Sequence, residues 1–207
     1  MSIIVIKKSG GAFPSDATLK RYFKSHSDGA GFAYNENGRV TIVKGLMTLE
    51  EFTMRYRECK RKHENSSFVF HFRTATSGGV KKHLCQPFPV TNSECLLSAE
   101  SIGGTQLAVA HNGIILEPYD EQDRHVPFDS YFLERLEYSG TYLFVRDVIY
   151  PHYKRNPLMY MMQQWLNDLH GATESKFAFI DGLGGVYTSG DFTQDKDGCL
   201  HSNPSCV

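Results

Sequence analysis

Apolar positions follow two rhythms along this chain. Short runs rich in Ile, Val, Phe and Tyr, bounded by Gly, Asn and Ser, lie at Ser2–Ile6, Gly31–Tyr34, Arg39–Lys44, Ser67–Arg73, Glu94–Ser98, Gln106–His111, Lys176–Ile180 and Gly185–Thr188. Runs of that length and composition predict strands. Between the second and third, Asn35-Glu36-Asn37-Gly38 ends in Asn-Gly, a dipeptide suited to the positive φ angles of a tight hairpin turn. Asp181-Gly182-Leu183-Gly184-Gly185 predicts a second hairpin for the last pair.

The other rhythm is helical. Ser15 can cap a helix whose apolar face is Leu19, Tyr22 and Phe23, and Thr48-x-x-Glu51 is a capping box ahead of Leu49, Phe52, Tyr56 and Cys59. Asp129 stands as an N-cap before Tyr131, Phe132, Leu133 and Leu136. Asn156-Pro157 opens a pattern of Leu158, Met161, Met162, Trp165, Leu166 and Leu169, closed by Gly171. The Met/Trp stripe reads as core, and Ser139–Lys154 is ambiguous between helix and strand. Strands outnumber helices and come in paired runs, which predicts an α+β sandwich rather than a doubly wound parallel sheet.

Length and charge narrow the function classes. At about 150 residues per domain, 207 residues make one domain spanning 1–207, and 41% apolar composition fills a single core. With 22 Lys+Arg against 23 Asp+Glu the formal charge is -1, so no global field attracts a nucleic-acid backbone. The basic run Lys60-Arg61-Lys62-His63 reads as a solvated helix end, and with Lys81-Lys82 is the only support for nucleic-acid binding. No apolar stretch approaches the roughly 18 residues of a membrane span. Lys7-Lys8 follows the first apolar run, the reverse of a secretory signal. Five cysteines without a Cys-x-x-Cys pair argue against a disulfide framework and fit a reducing, cytoplasmic setting. Nine histidines without His-x-x-x-His or His-Glu-x-x-His spacing give no reason to expect a metal; no cofactor is expected.

Four pieces could carry chemistry. Arg73 closes an apolar strand and precedes Thr74, Thr76, Ser77 and Gly78-Gly79, a layout suited to gripping a carboxylate with a guanidinium fork, hydroxyls and backbone donors; an exposed Arg beside a loop is the plainer alternative. His111-Asn112-Gly113 sits between apolar tracts. An Asn side-chain N–H beside a Gly backbone N–H can form a two-donor oxyanion hole, although Asn-Gly is equally a turn signal. Asp129-Ser130 offers a carboxylate that either caps a helix or binds an α-ammonium group. Ser2 would present a hydroxyl next to a free α-amine if Met1 were removed, a nucleophile beside a general base.

Together these pieces resemble the glutaminase domain of class II glutamine amidotransferases, members of the N-terminal-nucleophile (Ntn) hydrolases. His71-Phe72-Arg73-Thr74-Ala75-Thr76-Ser77-Gly78 is similar to the family's His-x-Arg-x-Ala-Thr-x-Gly, and Ala110-His111-Asn112-Gly113 is similar to its His-Asn-Gly loop. Ser27-Asp28-Gly29-Ala30-Gly31, Gln86-Pro87-Phe88, Gly190-Asp191-Phe192 and Ser202-Asn203-Pro204-Ser205 resemble small stand-alone relatives, many from bacteria and phages. The resemblance implies a four-layer αββα sandwich and release of ammonia from the glutamine side chain. Ser2 is then the nucleophile, Asn112 and Gly113 the oxyanion hole, Arg73 with Thr76 and Ser77 the carboxylate site, and Asp129 the amine site. It implies glutamine or a related γ-glutamyl amide as substrate, a separate partner enzyme if the ammonia is used, and the cytoplasm of a bacterial host if the chain is phage-encoded.

The sequence departs from that pattern where it matters most. The family's nucleophile is cysteine, and position 2 here is serine, a poorer nucleophile than a partly ionised thiol. Ser2 is therefore a true serine nucleophile, a replacement that keeps binding, or the mark of a catalytically silent binding or regulatory protein. Thr74, Ser77 and Gln86 also replace the aromatic, His and His frequent at their positions.

Overall fold

The computed structural model describes residues 1–115, 137–157, 163–168, 170 and 175–203. They form two antiparallel sheets with helices, an α+β arrangement. The strands are β1 (Ile3–Lys7), β2 (Ala30–Glu36), β3 (Arg39–Leu46), β4 (Phe68–Phe72), β5 (Phe88–Pro89), β6 (Ser101–Thr105), β7 (Leu107–Asn112), β8 (Lys176–Asp181), β9 (Val186–Ser189), β10 (Thr193–Gln194) and β11 (Leu200–His201). The large sheet runs β10-β11-β1-β4-β2-β3-β6 and the small one β5-β7-β8-β9.

Both expected hairpins form. In the β2–β3 turn Asn37 and Gly38 have φ of 51° and 74°, the paired left-handed residues of a tight hairpin. Helix α1 (Asp16–Ser25) starts at Ser15, whose side chain accepts from the Thr18 N–H, and buries Leu19, Tyr22 and Phe23. Helix α2 (Leu49–Lys62) starts with the full Thr48/Glu51 capping box and buries Phe52, Tyr56 and Cys59. Its basic end, Lys60 to Lys62, lies in the last turn and complements the helix dipole.

One expected strand is a helix. Glu94–Ser98 forms the short α3, capped by Ser93 and burying Leu97; a brief apolar run carries no period that separates strand from helix. The ambiguous segment is also helical, with α4 (Gly140–Phe144), a π-helical stretch Val145–Ile149 and α5 (Tyr150–Arg155) in succession. Asn156 ends that run, its N–H donating to the His152 carbonyl, and residues 163–168 are helical with Leu166 fully buried. The helix expected after Asp129 lies outside the described residues.

The central strands are buried on both faces, and their two faces differ in size. Ile3 and Val5 of β1 and Phe68, Phe70 and Phe72 of β4 join Tyr22, Phe23, Phe52 and Tyr56 in a core shared with α1 and α2. The alternate residues Ile4, Ile6 and Val69 pack with Ala108, Ala110, Ala178 and Ile180 of β7 and β8. Because side chains alternate across a strand, Leu107, Val109, Phe177 and Phe179 then face Tyr142, Phe144, Val145, Val148 and Leu166 in a third core. Large rings thus point toward helices, while the seam between the sheets carries alanine and aliphatic side chains.

Candidate active site

The start of β1 and the ends of β4 and β7 meet at a polar cavity of about 140 Å³. Ser2, Arg73, Thr74, Thr76, Ser77, Gln86, His111, Gly113, Ile114 and Thr141 contribute to its wall. Of the expected site residues, Ser2, Arg73, Thr76, Ser77 and Gly113 line it together. Asn112 is buried at the end of β7, next to the wall. Asp129 lies outside the described residues.

Position 2 is held by β4. Pairing of Ile3 with Phe72 carries Ser2 to the strand end, where its Oγ accepts from the Thr74 N–H at 3.1 Å and stands 3.4 Å from the Thr74 carbonyl. Met1 is 73% exposed, and its carbonyl lies 3.5 Å from the Thr74 Oγ1.

Arg73 is only 3% exposed. A turn grips its backbone, since the Asp28 N–H donates to the Arg73 carbonyl, the Arg73 N–H to the Gly29 carbonyl, and the Ala75 N–H to Asp28 Oδ2. Its Nη2 donates to the Ser77 carbonyl at 3.2 Å, while Nη1 is buried without a partner. Burial weighs against the guanidinium charge and lowers its pKa, partly offset by Cys85 and Asp28. Arg73 makes no ion pair among the described residues. Ser77 is committed to structure as well, its Oγ accepting from the Gly140 N–H at 3.0 Å.

Two buried histidines join the sheets behind this wall. His71 Nε2 lies 3.1 Å from the His111 carbonyl; a carbonyl only accepts, so that nitrogen carries the proton. His111 Nδ1 lies 2.9 Å from Thr141 Oγ1. Burial pushes both rings down to about 3, leaving them neutral at ordinary pH. His71 Nδ1 and His111 Nε2 are buried without partners. A Cβ at Gly113 would lie 2.5 Å from Ser175 Oγ and 2.9 Å from that His111 Nε2, so no larger residue fits there.

The two-donor oxyanion hole is not assembled in this state. Asn112 Nδ2 donates to Ser202 Oγ at 2.9 Å and to Asn203 Oδ1 at 2.7 Å, which uses both its hydrogens, and its Oδ1 is buried without a partner. Gly113 alone of the pair lines the cavity.

Five residues from three segments contribute to the site although sequence reasoning gave them no role in it. Gln86 lines the cavity with its Oε1 accepting from the His111 N–H at 2.7 Å. Ser139 and Thr141 bring the start of α4 to the wall. Ser202 and Asn203 reach the Asn112 side chain, and Asn203 the Ser2 carbonyl, from the far end of the sequence; their motif is legible in the chain, but their position is not. No group of acidic, His and Cys side chains among the described residues could hold a metal ion, and no helix among them is long and apolar enough to cross a membrane. No protein-family model matches the chain, and no curated protein matches it.

Proposed function

We propose that this protein is an Ntn-type amidohydrolase that cleaves the side-chain amide of glutamine or a related γ-glutamyl compound. The observation that carries this reading is Arg73: a buried guanidinium, unpaired with any described carboxylate, that opens on the same cavity as Ser2 and Gly113. An unpaired buried charge is costly, and a substrate carboxylate would complete it. Three stacked cores with helices outside two sheets support the four-layer αββα sandwich, and the expected N-terminal strand starts at the cavity.

In this reading Met1 is removed, freeing the Ser2 α-amine as base. The Ser2 hydroxyl oxygen attacks the amide carbon while its proton passes to the amine. The Gly113 N–H, with Asn112 if its amide turns, faces the oxyanion. The C–N bond breaks, the amine returns the proton to the departing ammonia, and a γ-glutamyl ester remains for water to hydrolyse. Ammonia put to use would require a partner enzyme, and the setting would be cytoplasmic.

The test is glutamate release from L-glutamine by protein whose Met1 removal is verified by intact mass, beside its Ser2→Cys variant. The thiol is expected to raise turnover by about 10²-fold or more, because it is already a few per cent ionised near neutrality. Silence of both forms defeats the glutaminase reading.

A second reading has its own support. The serine at position 2 and the full engagement of the Asn112 amide favour a catalytically silent member of the fold that binds a carboxylate ligand through Arg73. Glutamine binding measured calorimetrically without turnover in either form supports that reading.

A further inference from the structure

The C-terminal pair Ser202-Asn203 is wired into the site from the opposite end of the sequence. Ser202 exchanges two bonds with Ile4 of β1: its N–H donates to the Ile4 carbonyl at 3.0 Å, and its Oγ accepts from the Ile4 N–H at 2.9 Å. Lys176 Nζ of β8 donates to the Ser202 carbonyl at 2.6 Å. Asn203 Nδ2 donates to the Ser2 carbonyl at 3.2 Å, and Asn203 Oδ1 accepts from Asn112 Nδ2 at 2.7 Å and stands 3.3 Å from Ser202 Oγ.

The orientation of this carboxamide follows from its neighbours. The Ser2 carbonyl can only accept, so it takes the Asn203 amino end, and the Asn203 oxygen is left to receive the Asn112 amide. One side chain therefore bridges the residue expected to attack and the residue expected to stabilise the oxyanion. Those two residues are carried by different sheets, Ser2 ahead of β1 and Asn112 at the end of β7, so a tether between them also ties the sheets together at the cavity.

We infer that Asn203 is a positioning residue of this site, holding the backbone of position 2 through the Ser2 carbonyl, so that the last described residues complete a centre built at the first ones. The inference rests on the amidohydrolase reading for its catalytic consequence but not for its geometric one. Asn203 does not line the cavity, so the carboxylate end of the substrate, held by Arg73, is independent of it.

The test uses the full chain carrying Ser2→Cys, with Met1 removal verified by intact mass, alone and combined with Asn203→Leu or Asn203→Asp. Leucine keeps the volume and removes both bonds. Aspartate keeps the acceptor for Asn112 but sets an oxygen against the Ser2 carbonyl. Both are expected to lower kcat for glutamine by about 10- to 100-fold, the scale of an ångström-level misplacement, with KM within about threefold, the signature of an interaction lost only in the transition state. Alkylation of the introduced thiol by iodoacetamide at neutral pH is expected to slow by about fivefold, as the thiol loses its fixed place beside its base. If Asn203→Leu does not fold, Asn203→Asp carries the test. Unchanged kcat and alkylation in folded variants, or a rise in KM alone, overturns the inference. A parent inactive on glutamine whose thiol alkylation still slows on substitution sinks the amidohydrolase reading and leaves the positioning of residue 2 standing.

Discussion

The core under α1 and α2 and the wall where β4 and β7 end share strand β4, yet they obey opposite rules. Under the helices, Phe68, Phe70 and Phe72 project every second residue into a cluster of rings, Phe70 lying 5.6 Å from Tyr56 and Phe72 5.2 Å from Phe52. In that cluster Tyr56 Oη is the one buried side-chain polar atom left without a partner among the described residues. At or behind the strand ends, His71, Arg73, His111 and Asn112 each hold one. Buried polar atoms are nearly always paired in folded proteins, so the unpaired atoms of Arg73 and His111, which line the cavity, are groups that a ligand could complete. The strand gains stability along its length and gives some of it up at its tip.

Substitutions along one strand should separate the two regimes. Phe70→Ala leaves a cavity among packed rings and is expected to cost about 3–5 kcal/mol of stability, read by urea denaturation. Three residues on, Arg73→Met is expected to leave the unfolding midpoint unchanged or raise it, because an unpaired buried charge is replaced by an apolar chain of similar length. The same change should weaken glutamine binding by about 2–5 kcal/mol in calorimetry. A large loss of stability in Arg73→Met with binding intact would erase the distinction.

Acid should act on the wall before the ring cluster. His71 and His111 are neutral in the fold, with values of about 3, against 6.5 as the ordinary value. Between those values the unfolded chain holds two more protons than the native one. Stability from this pair is therefore complete above about pH 6.5 and falls by about 2.7 kcal/mol per pH unit below it. Denaturation midpoints measured from pH 7 to 4 should show that slope, and replacing both histidines with glutamine should flatten it. The smallest effect belongs to a purely local device: Thr48→Ala removes one arm of the α2 capping box and should cost about 1 kcal/mol, with no change in ligand binding.

What can be read in advance follows the range of the forces involved. The Ser15 and Thr48 caps, the Asn37-Gly38 turn and the alternation in β1 and β4 are decided within a few residues, and each is legible in the sequence. Glu94–Ser98 reads as a strand but folds as a helix because only Leu97 is buried there, too little to show a period. Strand β6, Ser-Ile-Gly-Gly-Thr, is an edge whose one buried residue is Ile102, and β5, β10 and β11 have two residues each. At the site, Arg73 and the His-Asn-Gly segment announce themselves by interrupting apolar tracts. The roles of Gln86, Ser202 and Asn203 do not, because each depends on a partner 25 to 201 positions away.

The hydrogen bond from His71 to the His111 carbonyl has a mechanical meaning. Ser2 and Arg73 ride on the large sheet, and His111 and Gly113 on the small one, so the width of the cleft is the offset between two slabs. A slide of one slab by a single strand residue, about 3.3 Å, would pull this bond apart. The imidazole acts as a shear pin: it sets the gauge of the cleft together with the Asn112–Asn203 and Lys176–Ser202 bonds, which join the same two slabs.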